Sequence, residues 1–86
     1  MKLYGKLMNK NMPLKINKVE NLDSNLDFHG QIESLFIDLC KNLDIPVPIW
    51  LKKNTRELSH YKKTFFNKEQ FIEEVYFDNF ILEIEV

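Results

Sequence analysis

The side chains with chemistry to offer in this 86-residue chain are Cys40, His29, His60 and a group of carboxylates near the end, Glu73, Glu74, Asp78, Glu83 and Glu85. A cysteine beside a histidine makes a nucleophile, because the base converts the thiol to thiolate. Cys40 instead shares helical spacing with leucines and a phenylalanine, and a free cysteine on such a face behaves as a small buried hydrophobe. Two imidazoles titrate near neutrality and can divide acid–base work or hold a metal. His29 and His60 lie far apart in the chain, and neither belongs to a ligand-spaced set of Cys and His. Paired carboxylates act as acid and base only where one is desolvated enough to stay protonated. Glu83 and Glu85 sit on the polar side of an alternating run, so both are expected in solvent. The only glycines are Gly5 and Gly30, and no glycine-rich turn is present to cradle a phosphate. No catalytic residue, metal site or cofactor is expected, and a carboxylate-based hydrolase is the least favoured reading.

One segment could bind rather than react. Trp50 to Phe66 reads WLKKNTRELSHYKKTFF, with Lys52, Lys53, Arg56, Lys62 and Lys63 interleaved with Trp50, Tyr61, Phe65 and Phe66. Basic side chains neutralise phosphates and aromatic faces stack on bases, so this is the pattern of a nucleic-acid surface. The competing reading puts the aromatics in the core and leaves the lysines as ordinary solvated surface. With a pI near 6.1 the chain lacks the overall basic footprint of a dedicated nucleic-acid binder. Trp50, Lys52, Lys53, Arg56, His60, Tyr61, Lys62 and Lys63 form the candidate binding surface.

These residues must be held by elements that the pattern predicts. Residues 2–8 and 14–20 alternate on either side of the polar tetrapeptide Asn9-Lys10-Asn11-Met12, which predicts a β-hairpin with Pro13 opening its second strand. Ser24 is the expected N-cap of a helix of about five turns ending at Leu43, with Asp27 in its first turn. Ile32, Leu35, Phe36, Leu39, Cys40 and Leu43 form its single apolar stripe. Ile45-Pro46-Val47-Pro48 then runs extended and stiff, and Ile49, Trp50 and Leu51 dock back on the core. Asn54 is expected to cap a short turn from Thr55 to Leu58. Asn67 and Gln70 resemble a capping box opening a helix from Lys68 to about Val75, with a strand from Ile72 to Phe77 as the alternative. Phe80, Leu82, Ile84 and Val86 alternate with Ile81, Glu83 and Glu85 as a half-buried strand. The fold class is thus α+β: a small antiparallel sheet, made of the hairpin plus the C-terminal strand, packed against one long helix with one or two short helical turns.

Eighty-six residues support one domain, taken as 1–86, and 44% apolar residues suffice for a core. One cysteine excludes an internal disulfide. The first dozen residues lack the apolar stretch of a signal peptide, and Ile45–Leu51 is too short for a membrane span, so a cytoplasmic setting is expected. Alanine is absent and arginine occurs once, a usage that follows AT-rich codons and points to a low-GC bacterium or one of its mobile elements. The net charge of −1 conceals blocks: five lysines and no acid in 1–18, six acids against Lys41 in 19–47, six bases against Glu57 in 48–68, and six acids with no base in 69–86. Adjacent elements can neutralise one another across the fold; the alternative is a dipolar surface suited to a charged partner.

From Cys40 onward the chain resembles a family of short uncharacterised proteins from clostridia and related low-GC bacteria. The likeness rests on LDIPVPIWLKKN, on Lys63-Thr64 followed by Phe66, and on FIEEVYFD from Phe71 to Asp78. It departs at Phe65, where the family carries a basic residue, and at Asn79 to Ile84, where the family ends Tyr-Leu-Glu-Ile. The resemblance implies a shared fold and brings no site with it. The functional expectation is a small non-enzymatic domain that binds another protein, such as an inhibitor carried by a mobile element, because no constellation for chemistry is present, the charges fall in blocks, and a short sheet must expose an edge for strand addition. A nucleic-acid-associated protein using residues 50–66 is the alternative.

Overall fold

The computed structural model of the protein describes residues 1–21 and 27–85. Lys10 and Asn11 both take left-handed backbone, with φ of 51° and 65°. Two consecutive residues of that kind match the twist of the strands they join. Strands β1 (Lys2–Asn9) and β2 (Met12–Glu20) therefore form the anticipated hairpin. Along its ladder Leu7 opposes Lys15, whereas Met8 opposes Pro13; Leu14 is the extra residue of a bulge. The turn is only Lys10-Asn11, so β2 opens at Met12, paired with Asn9, and not at Pro13; Pro13 is its second residue and lies on an edge strand, where its missing N–H costs least.

Helix α1 (Phe28–Leu43) begins later than expected. Its N-cap is Asp27, whose carboxylate accepts the Gly30 amide at 2.7 Å. The expected cap, Ser24, lies outside the described residues. At the other end Asp44 turns left-handed (φ 58°), and Ile45 N donates to Cys40 O at 3.0 Å, so the helix is closed by its own backbone before the prolines are reached. The result is about four and a half turns. Leu35, Phe36, Leu39, Cys40 and Leu43 are buried and Ile32 is partly so, as the stripe requires.

Helix α2 (Lys52–Tyr61) replaces the short turn expected at Thr55–Leu58. Asn54 is not its cap but sits inside it, fully buried. Strand β3 (Lys63–Asn67) follows at once, and β4 (Asn79–Glu85) ends the described chain. The four strands are antiparallel in the order β2-β1-β4-β3, so the C-terminal strand joins the hairpin as expected but lies between it and a strand that was not anticipated. The protein is α+β, with two helices against one face of the sheet and not one long helix with accessory turns.

Residues 68–78 link the two paired ends Asn67 and Asn79. The box of Asn67 and Gln70 is present, but it opens only a single 3-10 turn over Lys68–Gln70. Neither the helix to Val75 nor the strand Ile72–Phe77 forms. The buried apolar residues are Phe71, Val75 and Phe77, a spacing that fits neither period, and Ile72 is 90% exposed. The segment folds as a loop on its own side chains, with the Phe71 and Phe77 rings edge to face at 5.3 Å.

Leu3, Leu7, Phe66, Phe80 and Leu82 project from the inner face of the sheet into the core and are fully buried. The outer face carries Lys2, Tyr4 and Lys6 beside Ile81, Glu83 and Glu85. Here the first basic block does lie against the last acidic one. Tyr4 OH donates to Glu85 Oε2 at 2.9 Å, and from the second basic block Lys63 Nζ is 3.6 Å from Glu83 Oε1. That bond to Glu85 raises the Tyr4 pKa, helped by the neighbouring carboxylates.

Candidate interaction groove

Helix α1 lies over β1 and β2 while α2 lies over β3, so the two helices leave a trench between them above the end of β4. Its volume is about 610 Å³, a size that takes an organic ligand or the side chains of a docked segment. Phe36, Trp50, Leu58 and Ile84 form the floor. Phe28, Ile32 and Ile37 come from α1, Val47 and Pro48 from the extended segment, and Thr55, Ser59 and Lys62 from α2. Three of these apolar groups are open to solvent: Phe28 at 53%, Val47 at 52% and Ile37 at 39%.

The groove is built on a rigid base. The rings of Phe36 and Trp50 meet edge to face at 5.1 Å, and Phe36 stacks on Phe80 at 5.9 Å. Trp50 Nε1 donates to Thr55 Oγ1 at 2.8 Å, which fixes the indole across the start of α2. Trp50 therefore docks on the core as expected, whereas Ile49 and Leu51 on either side of it remain exposed. The extended segment is fastened to the 68–70 turn at Ile49, whose amide donates to Gln70 O at 2.6 Å and whose carbonyl accepts from Gln70 Nε2 at 3.1 Å.

One buried polar cluster exists beside this groove. Asn54 Nδ2 donates to Thr64 Oγ1 (2.8 Å) and to Phe65 O (3.0 Å), while its Oδ1 accepts from Leu51 N (2.9 Å) and Gln70 Nε2 (3.0 Å). Thr64 Oγ1 in turn donates to Glu57 Oε1 at 2.7 Å. A threonine bonded to a carboxylate has the form of a nucleophile and its base, but Thr64 is fully buried and no substrate can reach it. The cluster joins α2, β3 and the 68–70 turn.

Cys40 is likewise buried, and that desolvation pushes its thiol from an ordinary 9.0 up to about 12. A thiol reagent at pH 8 should label it slowly in the native protein and quickly in denaturant; fast native labelling would contradict the burial. The raised folded value also means that the unfolded state ionises first. Stability is fully present below pH 9 and should fall between pH 9 and 12 relative to a Cys40→Ala variant. Among the described residues no group of three His, Cys, Asp or Glu is placed to hold a metal, and no helix is long and apolar enough to cross a membrane.

The basic and aromatic surface is divided by the fold. Lys52, Lys53, Arg56 and His60 share the exposed side of α2, with Tyr61 (74% exposed) and Lys62 at its end. Lys63 belongs to the outer face of the sheet, where it pairs with Glu83. Trp50 is turned to the groove floor, Phe66 is in the core, and Phe65 stands on the outer sheet face. The aromatics thus do not line up along the lysines as a stacking platform. His29 reaches the groove from the first turn of α1, while His60 lies beside Tyr61 at 6.1 Å between ring centroids.

Both sheet edges are guarded. On β3, Phe65 O and the Asn67 amide are taken up by Asn54 and Gln70. On β2, Pro13 and the bulge interrupt the edge, and Lys15 points to the helix side, where its Nζ donates to Leu43 O at 3.3 Å. The groove residues Phe28, Ile37 and Val47 were not singled out from the sequence. The available signal was Ile37, an apolar residue lying off the α1 stripe. Comparison of the chain with models of known families, with curated proteins and with solved structures found no match.

Proposed function

We propose that this protein is a small non-enzymatic interaction domain, acting in the cytoplasm, that seats an apolar segment of another protein in the groove between α1 and α2. The observation that carries this reading is the open trench floored by Phe36 and Trp50 and flanked by the exposed Phe28, Ile37 and Val47. Solvent-facing apolar groups gathered around one concavity are a recurrent mark of a docking surface. Strand addition is less favoured, because both edges carry blocking features.

Trp50 reports on occupancy, since it forms part of the floor. A 14-residue helical peptide with one leucine face and glutamine elsewhere should change Trp50 emission saturably. Ile37→Glu and Val47→Glu should abolish that response while leaving the circular dichroism unchanged. A response that survives both substitutions, or none at all, would remove the groove reading. The nucleic-acid alternative draws on the exposed basic side of α2. It would take over if a single-stranded DNA probe bound at 150 mM salt and Lys52→Gln, Lys53→Gln and Arg56→Gln together released it.

A further inference from the structure

The α2 side of the groove carries a charge as well as a shape. Thr55, Ser59 and Lys62 line it from α2, and Lys52 precedes Thr55 by three residues, so Lys52, Thr55, Ser59 and Lys62 follow one another along the same side of the helix. Cations therefore stand at both ends of this lip, about 15 Å apart at the helical rise. Arg56, next to Thr55 in the chain, stands on the neighbouring exposed side of α2. Lys52, Arg56 and Lys62 form no ion pair among the described residues; the one ion pair there joins Lys63 to Glu83. Of the groups lining the groove, Glu33 on the α1 side is the one carboxylate and Lys62 on the α2 side the one lysine; Lys52 and Arg56 stand outside the lining, on α2. On the outer sheet face, basic and acidic strands lie side by side, but among the described residues the α2 lip has no ion-paired partner.

We infer that the partner segment is an acidic amphipathic helix, with apolar side chains seated on Phe36 and Trp50 and carboxylates set against Lys52, Arg56 and Lys62. This inference rests on the groove being the partner's seat. A trench bounded by two helices accepts a third as its occupant, entering by one apolar face. Residues Phe28 to Ile37 offer a wall of about 14 Å, which matches two and a half turns of such a helix. The openness of the walls at Phe28 and Val47 favours a peptide over an anionic amphiphile, which needs its chain enclosed. Nucleic acid has no use for an apolar floor whose rings are already stacked on one another.

The test uses three 14-residue peptides with the same leucine face and Glu, Gln or Lys at all other positions, titrated against Trp50 emission at 50 and 500 mM salt. The Glu peptide is expected to bind about tenfold more tightly than the Gln peptide at 50 mM, and the Lys peptide more weakly than either. The advantage should shrink to near parity at 500 mM salt, where the screening length is only a few ångströms. It should shrink likewise in a protein carrying Lys52→Gln, Arg56→Gln and Lys62→Gln. If the Gln peptide binds and is lost in Ile37→Glu, but the Glu peptide gains nothing over it, the groove stands and the acidic partner is overturned. If no peptide binds, both readings fall together. Decanoate binding saturably where the Glu peptide does not would overturn the helix in favour of an anionic amphiphile.

Discussion

Asn54→Ala is expected to lower the unfolding free energy by about 3 kcal/mol or more, among the largest effects of any single polar truncation in the molecule. All four hydrogen-bonding positions of the Asn54 amide are used, and its partners come from three different places: the Leu51 amide at the start of α2, Thr64 and Phe65 O on β3, and Gln70 in the turn beyond. Truncation leaves several of these without a partner in a region that water does not reach, at about 1–3 kcal/mol for each group that stays unsatisfied. An 86-residue domain has a total stability of about 4–13 kcal/mol, so a large share is at stake. Asn54→Asp keeps the shape but loses both donors and sets a charge against Phe65 O, so it should be at least as damaging. Urea unfolding followed by circular dichroism measures both. A loss below about 1 kcal/mol in each variant would show that the cluster is not what binds α2 to β3.

This cluster also explains why half of the fold was hidden in the sequence. The hairpin, the α1 stripe and the C-terminal strand are carried by periodic burial of apolar residues, and periodicity can be read without knowing the neighbours. Strand β3 is only five residues long, and its inward positions are Thr64 and Phe66. A polar residue in one of two core positions erases the alternation, because its burial is made possible by Asn54 and Glu57, which lie on another element. Asn54 reads as a cap for the same reason. Asparagine at the start of a helix ordinarily faces solvent, and nothing local shows that a threonine and a glutamine from distant positions will enclose it. The loop after Gln70 misled in the opposite way. Phe71, Val75 and Tyr76 imitate helical spacing, but Val75 is buried with Phe77 while Tyr76 is exposed.

The candidate surface was legible as composition and not as geometry. Residues 50–66 were visibly basic and aromatic, but the division of that segment among a groove floor, a helix face and the outer side of a sheet depends on α2 ending at Lys62, which turns left-handed with φ 59°. That reversal sends Lys63 to Glu83, while Lys52, Arg56 and Lys62 remain on α2 and its cap with no ion pair among the described residues. The charge blocks behave accordingly. The first basic block lies beside acidic β4, and of the second basic block Lys63, on β3, pairs with a β4 carboxylate, whereas Lys52, Arg56 and Lys62 form no ion pair among the described residues.

The position of α1, and with it the width of the groove, depends on Gly5. A Cβ at Gly5 would stand 2.9 Å from both Leu39 Cδ2 and Phe80 Cε1, closer than carbon atoms pack, so the helix approaches the sheet here because there is no side chain. Two effects oppose each other in Gly5→Val. A β-branched residue in a strand gains up to about 1 kcal/mol over glycine from backbone and propensity terms. Overpacking a filled core costs about 1–3 kcal/mol, occasionally more, and here the first added carbon already meets two fully buried side chains. The clash should win, with a net loss of about 2 kcal/mol. Leu39→Ala alone should cost about 2–5 kcal/mol through the cavity it leaves. In the double variant the valine enters that cavity, so the combined loss should fall short of the sum of the two single losses by at least about 1 kcal/mol. Additivity within about 0.5 kcal/mol would mean that Gly5 and Leu39 do not share one space and that α1 is positioned by other contacts.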